Sequence, residues 1–372
     1  MIPIFSNSLG DEEAEAVGKV FASRWLGRGK ECAAFEVEFA AHLGTADELV
    51  LLCNSCTASL HVALRALGIG PGDEVIVPTV HFVAAATLPL ELGATLVLAD
   101  VNRRTLNVEP AEIARRLTKR TKAVLLLHYG GHPCDVDAIR AVVGPGVAIV
   151  EDAANAVASR SHGRACGTLG DAGVWSFDAM KILVMGDGGA LWLRDAEPLA
   201  RAQSLRYLGL REATASGTDA QRSGQERWWE FEVGEPSGRF ISNDVAAAVG
   251  RIQLRRLEGF IARRRAIWET YQRELLGTGL LLPPEPAGGC TTSYYLYWVQ
   301  TARRDALAAR LREAGIYATY RYYPLHRALH LGGAYPGADM AADTTLNLPL
   351  HQNLTDEDLG HIINTIRSER WT

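Results

Sequence analysis

Between Glu48 and Val150, short apolar runs alternate with helix-like stretches, and this alternation restricts the fold more than any other feature of the chain. The apolar runs are Glu48–Cys53, Glu74–Pro78, Thr95–Ala99, Ala123–His128 and Val147–Val150. Such short apolar runs suit strands covered on both faces. Helix patterns over Ser59–Leu67, Pro110–Arg116 and Asp135–Val142 separate them, and a helix rich in small residues begins in Thr79–Thr87. Strand–helix repeats of this kind predict an α/β fold with a mainly parallel, doubly covered sheet. Two amphipathic helices precede it, over residues 11–23 and Glu31–His42, broken at Trp25-Leu26-Gly27-Arg28-Gly29.

The second half reads differently. Glu197–Arg206 is helical, with Pro198 tolerated in the first turn. Residues 211–235, including Trp228-Trp229, are polar and aromatic without a period, and read as a long loop or an inserted hairpin. A helix from Ser242 to Leu257 continues toward Leu275, and Pro283-Pro284-Glu285-Pro286 marks a break. A strand (Tyr294–Gln300), a helix (Arg304–Ala314), a Tyr/Arg-rich segment (Tyr317–Leu325) and a closing helix (Thr355–Arg367) follow. The chain therefore divides into a large domain, 1–255, and a smaller C-terminal α+β domain, 256–372.

Composition removes several function classes. A net charge of −5 gives no basic surface for nucleic acid or an acidic membrane. No apolar run approaches a membrane span, and the first residues lack a signal-peptide pattern. The six cysteines are scattered and do not form a disulfide framework, so a cytoplasmic location is expected. Cys53 and Cys56 form C-x-x-C, but no second ligand pair is spaced for zinc, and no metal is expected.

Candidate site residues gather where strands end, which is where open α/β sheets bind ligands. Asn54-Ser55-Cys56-Thr57-Ala58 closes a strand and opens a helix, so its free N–H groups make either a phosphate cradle or a plain N-cap. Phe82 follows the next strand, either stacked on a planar ring or in the core. Asp152 ends a buried strand, where it either caps a helix or holds a protonated pyridine nitrogen; Asn155 would lie on the same helical face. Trp175-Ser176-Phe177-Asp178-Ala179-Met180-Lys181 runs on into Gly186-Asp187-Gly188-Gly189. Lys181 sits in apolar company with no adjacent acid, either a lysine on an apolar strand edge or a nucleophile whose pKa is lowered by desolvation. Ser176 supplies a hydroxyl for a phosphate, and the glycines let backbone pass close to a neighbour.

In this order and spacing the motifs resemble the DegT/DnrJ/StrS family of sugar aminotransferases, which use pyridoxal phosphate (PLP). The resemblance rests on Trp25-Leu26-Gly27, Gly70 to Pro78, Glu151-Asp152-Ala153-Ala154, Ser176-Phe177 with Lys181, and Leu348-Pro349-Leu350-His351 with Leu354 to Asp358, and spans nearly the whole chain. It implies a type I aminotransferase fold with a seven-stranded large-domain sheet, and a homodimer with shared active sites. It also implies roles. Lys181 carries the cofactor and shuttles the proton, Asp152 pairs with the pyridinium nitrogen, and Phe82 stacks on the ring. Asn155 lies near the ring hydroxyl, and Ser176 with the Cys56-Thr57 turn binds the phosphate.

Departures from the family pattern lie around these residues. Cys56 stands where the family has glycine, and Asn155 where it has glutamine or histidine. Arg239 in Gly238-Arg239-Phe240-Ile241 takes the place of a phosphate-binding asparagine. It would reach across the dimer as a charged fork, or pair with Glu235 in its own chain. Asp178-Ala179-Met180 is also unusual. The implied activity is transamination from glutamate or glutamine to a keto-sugar, nucleotide-linked, with Arg28, Tyr320, Arg321, Tyr322, Tyr323 and His326 meeting the substrate. A cyclitol aminotransferase would use the same cofactor residues. An NAD-dependent oxidoreductase would need G-x-G-x-x-G after the first strand, where this chain has no glycine. A non-catalytic sugar sensor would not need Lys181, Asp152 and Ser176 together.

Overall fold

A computed structural model describes residues 1–210 and 229–372. In the first half the elements are α1 (Asp11–Ser23), α2 (Lys30–Leu43), β1 (Val50–Cys53), α3 (Cys56–Ala66), β2 (Glu74–Pro78), α4 (Ala84–Glu91), β3 (Thr95–Ala99), α5 (Pro110–Arg116), β4 (Thr121–Leu127), α6 (Val136–Val143) and β5 (Ala148–Asp152). Two short strands, β6 (Arg160–Ser161) and β7 (Arg164–Ala165), lead to β8 (Ala172–Ser176), β9 (Gly189–Leu193) and α7 (Ala196–Leu205).

The main sheet has seven strands in the order β1-β9-β8-β5-β4-β2-β3. The pairs among β2, β3, β4, β5 and β8 are parallel; β9 is antiparallel to both β8 and β1. Strands β1, β2, β8 and β9 are buried along their whole length, which is why their sequences lack a polar alternation. Their register brings the site together: Cys53 pairs with Gly189, Gly189 with Ser176, and Asp152 with Val174. The carboxyl ends of β1, β8 and β5 therefore share one edge.

The later elements are α8 (Asp244–Glu274), β10 (Cys290–Thr291), β11 (Tyr297–Gln300), α9 (Arg304–Glu313), α10 (Leu325–Ala328), α11 (Pro336–Thr344), β12 (Thr345–Leu348) and α12 (Asp356–Arg367). Helix α8 has 31 residues, capped by Asn243, whose side chain accepts from the Ala246 amide. Its first half packs on the large core and its second half on a separate cluster built from Ile267, Trp268 and Tyr271 with Leu307, Leu311, Leu346, Ile362 and Trp371. Helix α12 begins with a capping box between Thr355 and Asp358.

The structure differs from the sequence expectations at several ends. No helix follows Asp152: residues 153–158 form turns, so Asn155 is placed by a turn and not by a helical face. The first strand is shorter than expected, because Asp47–Leu49 form a 3₁₀ turn. Helix α4 starts at Ala84, after an irregular stretch that includes His81 and Phe82. Of the long segment expected at 211–235, residues 211–228, with Trp228, lie outside the described residues. Among the described residues no helix is long and apolar enough to cross a membrane.

Candidate active site

Helix α3 begins directly at the end of β1. Ser55 caps it by accepting the Ala58 amide, and the Ser55 carbonyl takes the Ser59 amide. No hydrogen bond from the Cys56 or Thr57 amide is present among the described residues. These two N–H groups lie in the first turn of α3, at the positive end of its dipole. The N-cap reading of this turn holds, with Ser55 as the cap, and the Cys56 and Thr57 amides are left without an intrachain partner among the described residues. Ser176, two strands away across Gly189, is buried with its Oγ 3.4 Å from the Asp178 amide.

Gly189 explains the glycine run. A Cβ there would lie 2.4 Å from the Cys56 nitrogen and 2.4 Å from the Ser55 carbonyl carbon. The neighbour that the chain passes closely is its own α3 junction, and the contact is with backbone, which cannot swing aside. Gly189→Ala should therefore destabilise the protein by about 1–3 kcal/mol through overpacking and weaken phosphate binding at the same spot. Urea denaturation and titration with inorganic phosphate check the two effects.

Asp152 and its neighbour Glu151 point to opposite sides of the sheet, as adjacent strand residues must. Glu151 accepts the amides of Gly167, Leu169 and Gly170 and contacts His128 Nε2 at 2.8 Å, so it organises a loop. Asp152 turns to the site, and its Oδ1 accepts the Ala154 amide at 2.8 Å. Its Oδ2 lies 3.9 Å from His81 Nε2. His81 is buried with neither ring nitrogen hydrogen-bonded, and burial lowers its pKa against the pull of Asp152. The two His81 nitrogens are thus buried polar atoms without a hydrogen-bond partner beside the Asp152 carboxylate.

Lys181 lies in a loop after β8 and is half-buried. Its Nζ is 3.5 Å from the Tyr295 hydroxyl and 5.0 Å from the centre of that ring. The expectation that desolvation lowers its pKa is corrected. Burial does act in that direction, but Tyr295, Tyr322, Asp152 and Cys56 together outweigh it and hold the lysine above its ordinary range in the free chain. Asn155 joins this group through a contact of its Nδ2 with the Tyr322 hydroxyl at 3.3 Å, while its Oδ1 accepts the Gly130 amide at 3.3 Å.

Phe82 is not core: it is 51% exposed and meets Tyr322 edge-on at 6.2 Å. An exposed ring at a strand end beside Tyr322 and Asn155 is available to cover a planar ligand.

The expected substrate residues separate. Tyr322 faces Phe82 and Asn155, Arg321 lies against Met180, and Tyr323 is exposed. Tyr320 is partly buried against the large core. Arg28 is committed to Glu36 at 2.7 Å. His326 is buried, with Nδ1 on Thr79 at 2.8 Å and Nε2 on Asp339 at 3.1 Å, and its ring stacks on Tyr335. Both nitrogens are used, joining α10 to the residue after β2 and to α11. Arg239 is exposed and has no ion pair among the described residues; Glu235, its expected partner, is held by Arg65 and Arg201. The C-x-x-C cysteines are free thiols, and no group of three potential metal ligands exists among the described residues.

Three residues near the lysine were not legible in the sequence: His81, Tyr295 and Phe5. Tyr295 sits in a stretch that reads only as an apolar strand. Its position depends on Arg264 of α8, fully buried and pushed down to about 10 by burial, whose Nη1 donates to the carbonyls of Tyr294, Tyr295 and Leu350.

The residues thus fit a ligand with a phosphate, a planar ring, a ring nitrogen facing Asp152 and a carbon facing Lys181. Comparison with known proteins gives the family. The sequence profile of the DegT/DnrJ/EryC1/StrS aminotransferase family matches residues 7–367. The chain belongs to this family. The dTDP-4-dehydro-2,3,6-trideoxy-D-glucose 4-aminotransferase of Saccharopolyspora spinosa is 47% identical over 365 residues, covering 96% of this chain and 94% of that one. The aminotransferase TlmJ of Streptoalloteichus hindustanus superposes with a TM-score of 0.93 at 49% identity, covering 99% of this chain and 98% of the other. Spr1654 of Streptococcus pneumoniae, solved in a PLP form, superposes at 0.89 with 25% identity over 99% of this chain and 98% of its own. The protein is a sugar aminotransferase with the fold of the PLP-dependent aminotransferases, as its sequence implied. Its family and its structural neighbours indicate dependence on pyridoxal phosphate.

Proposed function

We propose that the protein transfers an amino group from glutamate or glutamine to the keto carbon of a nucleotide-linked deoxysugar, using PLP held by its own Lys181. The observation that carries this is the convergence of Lys181, Asp152, Ser176 and the free Cys56 and Thr57 amides on one sheet edge. The nucleotide-linked substrate in the name of the Saccharopolyspora spinosa relative supports the acceptor class.

Bound PLP supplies an electron sink for negative charge at the carbon next to nitrogen. The chain's residues do the rest. The Cys56 and Thr57 amides, with the Thr57 and Ser176 hydroxyls, receive the phosphate. Asp152 would keep a proton on the ring nitrogen. Phe82 would cover the ring, and Asn155, in contact with Tyr322, would meet its hydroxyl. Lys181 Nζ removes the proton from the donor's α-carbon and returns one to the sugar carbon.

The test incubates the PLP form with glutamate or glutamine, then with a dTDP-linked 4-keto-deoxysugar or a keto-cyclitol, and follows the cofactor's absorbance. The sugar nucleotide, and not the cyclitol, should restore the starting spectrum. Restoration by the cyclitol alone would replace the acceptor.

The enzyme works as a homodimer in which Arg239 of one chain reaches the phosphate held by Ser176 and Thr57 of the other. Its exposure and the lack of an ion pair to it among the described residues support this reading. Mixing Arg239→Ala subunits with Lys181→Ala subunits gives heterodimers with one doubly defective site and one intact site. In a random one-to-one mixture, activity should rise toward about a quarter of wild type, as two-fold symmetry requires. Heterodimers that form but restore nothing would place Arg239 outside the partner's site.

A further inference from the structure

A chain of ring contacts runs from Lys181 to a second cation. Lys181 Nζ is 5.0 Å from the centre of the Tyr295 ring. Phe5 stacks on Tyr295, with centroids 5.5 Å apart and planes 17° from parallel. The Arg321 guanidinium lies 4.6 Å from the centre of Phe5, and its Nη2 is 3.3 Å from the Met180 sulfur. The backbone of Arg321 is clamped as well. Its amide donates to Asn347 Oδ1 at 2.7 Å, and its carbonyl accepts the Tyr129 hydroxyl.

Phe5 is fixed on both sides. Ile2 bridges Ile316, and the Pro3 carbonyl contacts His351 Nε2 at 3.2 Å. Asn353 Nδ2 donates to Ser6 Oγ at 3.1 Å and to the Asn7 carbonyl, and Gln253 Nε2 donates to the Ser8 carbonyl at 3.0 Å. Arg321 nevertheless has no carboxylate partner among the described residues, whereas Arg28, Arg206 and Arg251 are each paired with glutamates. A guanidinium that is stacked, clamped and unpaired is preorganised for an anion.

We infer that Arg321 receives a carboxylate of the amino-acid donor and that Phe5, on the amino-terminal strap, holds it ready. This rests on the amino-transfer reading. Met180, which Arg321 touches, is the residue before Lys181, so the guanidinium sits on the loop that carries the lysine. The surroundings are apolar on the sides formed by Phe5, Met180 and Tyr295, which suits the carbon chain of an amino acid. One planar fork matches one carboxylate, while a diphosphate calls for several cationic or amide donors.

The test uses the PLP-loaded holoenzyme without sugar and reads glutamate-driven loss of the starting absorbance, together with calorimetric binding of glutarate and of inorganic pyrophosphate. Arg321→Gln should raise half-saturating glutamate and the glutarate Kd by roughly 10- to 100-fold, as loss of a charged hydrogen bond does. The limiting rate at saturating glutamate, the cofactor content and pyrophosphate binding should change by no more than a few-fold. Arg321→Lys should recover part of the affinity. Phe5→Leu, which keeps an apolar residue under the guanidinium, should raise the same two quantities by roughly 3-fold. Unchanged glutarate and glutamate affinities in Arg321→Gln would overturn the assignment, as would a loss confined to pyrophosphate, which would give Arg321 to the nucleotide. A coloured wild type that responds to neither glutamate nor glutamine would overturn the proposed amino donor together with this assignment.

Discussion

Lys181→Ala is expected to lose nearly all turnover, on the order of 10⁴-fold or more, because in the proposed mechanism one amine would both anchor the cofactor and move the proton. The wild type should be yellow as isolated, and borohydride should fix a phosphopyridoxyl group on Lys181. Peptide mapping after reduction decides the point, and a label on another lysine would sink the assignment. The surroundings explain why no substitute is at hand. Asp152, Cys56, Tyr295 and Tyr322 all act on this one nitrogen. Tyr295 lies within 3.5 Å, but a phenol cannot form the same linkage. Since these neighbours hold the lysine above its ordinary pKa in the free chain, uptake of PLP by the cofactor-free protein should be faster at pH 9 than at pH 7. The sign follows because only the neutral amine attacks, and its fraction grows as pH rises toward the raised pKa. Stopped-flow absorbance across that range measures it.

Asp152→Asn should bind PLP but slow the donor half-reaction by roughly 10²- to 10³-fold or more, since an amide no longer favours a proton on the ring nitrogen. The effect should be large because Asp152 has no understudy: Glu151 faces the other side of the sheet and is consumed by three backbone amides. His81 lies 3.9 Å from the carboxylate, and burial keeps it toward the neutral form. Single-turnover absorbance with glutamate measures the loss. A rate within a few-fold of wild type would mean that another group holds the ring nitrogen.

The small-residue turn at Ser55-Cys56-Thr57 and the exposed state of Phe82 show how sequence and structure divide the information. The turn was legible because a helix start has only a few chemical solutions, and hydroxyl residues at a strand end mark one of them. Phe82 was ambiguous, since an aromatic residue after a strand looks the same whether packed or exposed; only the position of Tyr322 beside it decides that it faces the site. The surroundings of His326 were hidden for the same reason. In sequence it belongs to a hydrogen-bonding loop, whereas in space Thr79 and Asp339 occupy both its nitrogens.

What the sequence determined by itself was the alternation of buried strands and helices, the residues at strand ends, and the order of motifs that places the chain in its family. Periodicity and capping are local, so they survive without coordinates. What only the tertiary structure decided was register and encounter. The pairing of Cys53, Gly189 and Ser176 across three strands joins a helix start to a hydroxyl more than a hundred residues away. Arg264 sets Tyr295 beside Lys181 from a different element, and the amino-terminal strap slides Phe5 beneath Arg321. These contacts depend on side chains meeting across long sequence separations, and no local pattern encodes the distance between them.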